Sequence, residues 1–310
     1  MVKIKKKILV IGGTGYIGKN ICKRAVSIGL KVDSLSLNKN NNDTKVSGVN
    51  YIYGDLLNQK SLLNIELSYD FVVNASGYVD HTPFFKGGEN NIFSHFVAIT
   101  NLIKFLNKNK LKKFLQIGSS DEYGNNIAPQ NENLRENPIS PYSLGKVATT
   151  HFLQMLSKTE KFPVVILRVF LTYGPGQNND RFIPQIIHGC MNNSSFPTSE
   201  GMQLRDFCFI EDLLDAIFLT LNEPNISGEI INIGSGKPIR IRDLVEEIRT
   251  IIGKGKPRFG DFPYRQYENM ELYADLKKSE KLLNWKPKTT LKEGLKKTIN
   301  WYLNNEKAIS

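Results

Sequence analysis

At 310 residues, 40% hydrophobic and 23% charged, the chain has the composition of an ordinary folded protein, with length for one large core or two modest ones. No apolar run reaches membrane-span length. The three cysteines, Cys22, Cys190 and Cys208, lack metal-ligand spacing, so free thiols and no metal centre are expected. The net charge of +11 is spread in short pairs such as Lys112-Lys113 and Lys277-Lys278; it reads as a solvated basic surface that favours a small anion, with nucleic-acid binding as the competing reading.

The first residues, Met1-Val2-Lys3-Ile4-Lys5-Lys6-Lys7, run into a strand pattern without a signal-type apolar region, so a cytoplasmic protein with no membrane partner is expected. An apolar run over 8–11 reads as a buried strand, and Ile17, Ile21, Ala25 and Ile28 mark one face of a following helix. Between them lies Gly12-Gly13-Thr14-Gly15-Tyr16-Ile17-Gly18. A glycine turn between strand and helix is where a dinucleotide-binding fold seats its pyrophosphate. Gly12 permits a sharp turn, Gly15 the approach of backbone to phosphate, and Gly18 the packing of helix on strand. The helix N-terminus offers free N–H groups to the anion. Thr14, Tyr16 and Ile17 are expected among the same cofactor contacts.

A second strand is expected over 31–37. Ser36, Leu37, Asn38 and Lys39 stand where an acid usually bonds the NAD ribose, and Asp33 comes too early, inside the strand. NAD is the expected cofactor, with Ser36 beside its ribose; Lys39 leaves a 2′-phosphate, and so NADP, open. A polar loop follows over 38–43. The third strand, 49–56, ends in Gly54-Asp55-Leu56, where Asp55 is placed to accept from an adenine amine, to cap a helix starting near Gln59, or both. The fourth, 69–75, ends in Ala75-Ser76-Gly77, small residues that leave space for a ligand. An amphipathic helix is expected over 92–107, with Ile92, Phe96, Ile99, Ile103 and Leu106 on one face, and then a strand ending in Ser119-Ser120. This alternation predicts an α/β fold with a Rossmann-type, doubly wound parallel sheet.

Ser140 suits a helix N-cap and Pro141 the first turn, which puts Tyr142 and Lys146 on one helix face. A phenol near pKa 10 is a poor proton-transfer group at neutral pH, and an ammonium one turn away favours its ionised form. With a serine hydroxyl from a strand end, Ser119, these residues make an acid/base site for moving a hydride at an alcohol or ketone carbon.

The order Gly-Gly-Thr-Gly-Tyr-Ile-Gly, Gly-Asp-Leu, Ile-Gly-Ser-Ser-Asp-Glu-Tyr-Gly, Pro-Tyr-Ser-Leu-Gly-Lys and Leu-Arg-Val-Phe-Leu-Thr-Tyr-Gly-Pro-Gly-Gln resembles the extended short-chain dehydrogenase/reductases, the nucleotide-sugar epimerases, dehydratases and reductases. It continues through Arg205-Asp206-Phe207 with Asp212, Asn232-Ile233-Gly234-Ser235-Gly236 and Trp285-Lys286-Pro287. The resemblance implies that Gly12, Gly15 and Gly18 hold the pyrophosphate and that Asp55, Leu56 and Ala75 lie along the cofactor. It makes Tyr142 the acid or base, Lys146 the partner of the nicotinamide ribose, and Ser119 the residue that orients the reacting hydroxyl, usually at C4. It places Ser120, Asp121, His81, Arg181, Arg205, Arg265 and Glu268 toward a nucleotide-diphosphate sugar.

Residues 118–124 look most like GDP-linked 4-ketoreductases, so a 4-dehydrogenase or 4-ketoreductase of a GDP-sugar, in surface-polysaccharide precursor synthesis, heads the expectation. A 4-epimerase follows, then a 4,6-dehydratase with Asp121 as the C5 base. A non-catalytic dinucleotide-binding protein is the reading of another class. Leu171 stands where many relatives have a substrate-contacting Asn, and His95 and Ala98 where they have Asn and Gly. The expected domains are 1–174, with 205–235 returning to it, for the dinucleotide, and 175–204 with 236–310, mixed α/β, for the substrate. Two helices that pair between subunits in this family, over 92–107 and 142–156, imply a homodimer or higher oligomer.

Overall fold

The computed structural model describes residues 5–37, 45–63, 65–265 and 267–305. Lys39, the loop over 38–43 and the tail beyond 305 lie outside them. In chain order the strands are β1 (Lys7–Ile11), β2 (Lys31–Ser36), β3 (Val49–Tyr53), β4 (Phe71–Asn74), β5 (Lys113–Ser119), β6 (Val164–Val169) and β7 (Leu171–Tyr173). They continue as β8 (Ser195–Thr198), β9 (Leu204–Phe209), β10 (Ile230–Ile233), β11 (Pro238–Arg240), β12 (Lys256–Phe259) and β13 (Glu271–Leu272). The chain groups into two compact units.

The first unit comprises Met1–Gly124, Arg135–Val169 and Leu214–Ile231. Among the described residues its sheet runs β10-β6-β5-β4-β1-β2-β3, with β1 to β6 paired parallel. The strands are near-continuous apolar runs, as a sheet covered on both faces requires. Leu9, Ile11, Leu35, Val72, Phe114 and Ile166 form its core with Ile99, Leu102 and Leu153 from the helices. Strand order reverses at β1, between β2 and β4, so the crevice that doubly wound sheets use for ligands opens at the carboxyl ends of β1 and β4.

Helix α1 (Tyr16–Ser27) follows the glycine turn. The helix expected over 92–107 begins earlier and is not α throughout: α2 (Glu89–Ile92) passes through a π-helical stretch, Phe93–Val97, into α3 (Ala98–Phe105). The wider turn carries His95 inward against two glycines. A Cβ on Gly77 would meet the His95 ring at 2.1 Å, and one on Gly145 its Cβ at 3.2 Å. Helix α4 (Pro141–Glu160) starts as expected, with Ser140 capping it and Pro141 in its first turn. Lys5, Lys6, Lys7, Lys31, Lys110 and Lys112 gather round Asp70 in a cavity of about 490 Å³ at the amino ends of the strands, opposite the glycine turn.

The second unit comprises Asn125–Leu134, Phe170–Leu213 and Asn232–Ser310. Its helices are α5 (Phe182–Met191), α7 (Ile241–Ile252), α8 (Lys277–Leu283) and α9 (Leu291–Asn304); α6 (Ile210–Asn222) runs across the boundary between units. Strand β9 departs from the expected return of 205–235 to the large sheet: it pairs with β7, β11 and β13, and of that stretch only β10 joins the first sheet. The charged residues of β9 explain this. Asp206 is fully buried and accepts from the N–H groups of Ser235, Gly236 and Ala274 and from the Ser235 hydroxyl, partners that loops supply and a stacked parallel sheet does not. Asp212 likewise takes the N–H groups of Lys288 and Thr289, and its carbonyl the Trp285 indole, which ties down Trp285-Lys286-Pro287.

No described helix is long and apolar enough to cross a membrane, and no described group of three or more His, Cys, Asp or Glu side chains is arranged for a metal. The three cysteines are free and buried, and burial pushes the Cys22 thiol up to about 12.

Arg168 on β6 is a wholly inaccessible charge, with its Nε 3.0 Å from Glu122 and its Nη2 2.5 Å from Glu136. Replacing one member of such a pair strands the other in a low-dielectric interior. Arg168→Met is expected to lower stability by about 3–5 kcal/mol, read as the loss of unfolding free energy in urea titrations.

Candidate active site

The glycine turn is built as its residues require. Gly12 has φ +76°, and a Cβ there would lie 2.8 Å from Ser76 Cα. A Cβ on Gly18 would sit 2.1 Å from the Gly12 carbonyl oxygen, so the helix meets the turn backbone to backbone. Gly13, not singled out from the sequence, is as constrained: its Cβ would reach within 2.4 Å of Ser34 Oγ. Gly15 is the N-cap of α1; among the described residues no side chain caps it, and its first turn holds no acid. That leaves donors and the positive dipole end for an anion, which fits a dinucleotide pyrophosphate.

Ser36 ends β2, buried, with its hydroxyl 3.5 Å from that of Ser34. Asp33 is structural: it accepts from Tyr69 Oη at 2.7 Å and Asn50 Nδ2 at 3.2 Å. Asp55 does not cap the next turn. Asn58 does, accepting from the Lys60 N–H, while Asp55 accepts from the Leu57 N–H and donates its own N–H to Ser61. The Asp55 carboxylate therefore folds its own loop, and Leu56 is fixed by donation from Asn101 Nδ2 to its carbonyl. Ala75 donates its N–H to Ile11, which keeps the end of β4 beside the turn.

The three candidate reacting groups come together in this unit. Ser119 ends β5, and Tyr142 and Lys146 lie on α4; they are 8%, 4% and 5% exposed. Lys146 Nζ donates to the Ile117 carbonyl at 3.0 Å, two residues before Ser119, and stands 5.8 Å from the Tyr142 ring centre. Burial pushes the Lys146 ammonium down to about 8, against the pull of the Glu122 and Asp121 carboxylates. Below that value its charge favours negative charge on the phenol oxygen.

Two histidines flank Tyr142, each edge-on. His95, at 4.9 Å between ring centres, is buried, and desolvation with the nearby Lys146 holds it down to about 3, so it is neutral; its Nε2 meets the Tyr78 carbonyl at 3.3 Å. It is a packed residue that fixes the phenol. His81, at 5.8 Å, is partly exposed, and its Nε2 lies 3.0 Å from Asp121 Oδ2. Ser120 is buried.

Sequence reasoning missed Glu122. It is fully buried, accepts the Ser119 N–H at 2.9 Å and the Thr150 hydroxyl at 2.8 Å, and pairs with Arg168. Two signals were present: Ser119-x-x-Glu122 is a capping-box pattern, and an arginine in the apolar run of β6 requires a buried acid.

In the second unit Arg205, Arg265 and Glu268 are neighbours. Arg205 is buried and pairs with Glu268, and the Glu268 N–H donates to the Arg265 carbonyl. Arg265 is exposed, as is Arg181 at the start of α5; Leu171 is partly exposed on β7. Gly18→Ala, whose Cβ has no room, is expected to weaken NADH binding by about tenfold or more, about 1.4 kcal/mol, read by titration of cofactor fluorescence.

The description of the NAD dependent epimerase/dehydratase family matches residues 8–234. The chain is 30% identical to a putative UDP-glucose 4-epimerase of Methanocaldococcus jannaschii, over 97% of this chain and 99% of that one. It is 29% identical to the human dTDP-D-glucose 4,6-dehydratase, over 97% and 91%. Among solved structures, the UDP-glucuronic acid 4-epimerase of Bacillus cereus, in complex with UDP-glucuronic acid and NAD, superposes with a TM-score of 0.86 at 26% identity, over 96% of this chain and 99% of that one. These findings correct the expectation of a GDP-linked dehydrogenase or ketoreductase: the relatives are named for UDP- and dTDP-sugars and for epimerisation or dehydration. With the glycine turn, the parallel sheet and the Ser119–Tyr142–Lys146 arrangement in place, the chain belongs to the NAD dependent epimerase/dehydratase family.

Proposed function

We propose that the protein is an NAD-dependent 4-epimerase of a UDP-linked sugar. The observation that carries this reading is the commitment of Glu122. Ser119, Tyr142 and Lys146 supply what transfer at C4 needs, while Glu122 beside them is fully engaged by Arg168, Thr150 and the Ser119 backbone. Epimerisation needs no further acid or base, whereas elimination across C5–C6 does, and Glu122 is not free to serve as one. Similarity over nearly the full length of a putative UDP-glucose 4-epimerase supports it.

NAD held at the glycine turn would supply the hydride acceptor and donor for C4. Ser119 holds the C4 hydroxyl, and Tyr142 takes its proton as the C–H bond is broken. Lys146 stabilises the phenolate, and Tyr142 gives the proton back once the 4-keto sugar has turned over. We assign the glycine turn and Ser36 to the cofactor, and Arg181, Arg205, Arg265 and Glu268 of the second unit to the nucleotide diphosphate; Arg205, held by Glu268, is pre-oriented for an anion. Exposed Phe93, Leu144 and Met155 on the helices expected to pair between subunits support a homodimer.

A 4,6-dehydratase is the second reading, favoured by Asp121, a carboxylate with an imidazole partner near Tyr142. Incubation with UDP-glucose in D₂O separates the two. Epimerisation yields the C4 epimer with no deuterium on carbon, whereas dehydration yields a 4-keto-6-deoxy sugar and requires exchange at C5. The second outcome, or no reaction with UDP- and dTDP-sugars alike, would sink the proposal. Tyr142→Phe is expected to lower turnover by about 10²–10⁴-fold. In the wild type, turnover should fall as pH rises through about 8, where Lys146 loses its proton; both are read from steady-state rates of epimer formation.

A further inference from the structure

The chemistry proposed at C4 gives the Asp121–His81 pair no step of its own, yet the pair stands beside the residues proposed to perform it. Asp121 lies two residues beyond Ser119, whose hydroxyl accepts its N–H at 3.1 Å. His81 comes from the segment after β4, binds the Asp121 carboxylate, and presents its ring to that of Tyr142 at 67°. The two side chains remain 37% and 25% exposed, while Ser119, Tyr142 and Lys146 are more than nine-tenths buried. A carboxylate therefore sits at the open side of the groups that would grip C4.

In a pyranose held at C4, the adjoining C5 bears the substituent that distinguishes two substrate classes: a neutral hydroxymethyl in hexoses, a carboxylate in hexuronates. We infer that the Asp121 carboxylate, which His81 binds, selects a neutral hexose and rejects a hexuronate; this rests on the proposed chemistry at C4. With a neutral imidazole the pair carries one negative charge, and with a protonated one it carries none, so in neither state does it offer net positive charge to a second carboxylate. The surroundings do not reverse the balance. Glu122 and Glu136 are paired with Arg168, His95 is buried and neutral, and the Lys146 ammonium, which Glu122 and Asp121 both attract, is held on the Ile117 carbonyl. A C6 hydroxyl, by contrast, donates to the Asp121 carboxylate.

Like charges in a partly desolvated site repel by enough to shift affinity about tenfold or more. The test is calorimetric binding of UDP-glucose and UDP-glucuronate to the NAD-loaded enzyme, repeated with the dTDP-linked pair, alongside kcat/KM for each. The wild type should prefer the glucose form by about tenfold or more. Asp121→Asn should close most of that gap with the affinity for free UDP unchanged, and His81→Gln, which keeps the carboxylate and removes its partner, should preserve or widen it. A wild type that binds both sugars equally, an Asp121→Asn ratio equal to the wild-type ratio, or no binding of either sugar overturns the inference. A preference seen in binding without epimer formation would instead overturn the 4-epimerase reading and leave the selectivity standing.

Discussion

One buried carboxylate fixes the candidate active site of the first unit. Glu122 receives the Ser119 N–H from the end of β5, the Thr150 hydroxyl from α4 and the Arg168 guanidinium from β6. An unpaired carboxylate in that interior is strongly unfavourable, so the three elements have one arrangement that satisfies it. The same charge draws positive charge onto Lys146. The serine, the helix that carries the phenol, and the protonation of the lysine thus share a single anchor. Shifting β5 against α4, and with it Ser119 relative to Tyr142, would break that anchor.

Much of the fold was legible because local signals agreed with one another. The apolar run, the glycine turn and the helical stripe from Ile17 specify β1, the turn and α1, and Ser140-Pro141 sets the start of α4 and so the shared face of Tyr142 and Lys146. What escaped was decided by distant partners. Asp206 looks like one more residue of a strand until the N–H groups of Ser235, Gly236 and Ala274 are found on it, and they draw β9 into a second sheet. Asp55 and Asn58 are both good cap residues three apart, and only the fold of the loop assigns the cap to Asn58.

The overturned expectation of a GDP-linked sugar has a related cause. Residues 118–124 pointed to a GDP-linked reductase, yet the glutamate in that stretch is an internal brace and touches no open surface. Likeness carried by a brace reports how a chain is held together, not which nucleotide it receives. The residue of that stretch that meets solvent is Asp121, with His81 across from it, and the proposed selectivity rests on that pair.

The π-helical stretch between α2 and α3 bears on how this chain is compared with others. A π-turn takes up one residue more than an α-turn, and each residue advances an α-helix by about 100°. A relative whose corresponding helix is α throughout would present to the tyrosine a side chain one sequence place away from the one that gap-free counting matches to His95. Homology across 93–97 is therefore a matter of position in space, and a single-residue deletion there would rotate the helix before the stretch against the helix after it, turning His95 away from the phenol it packs against.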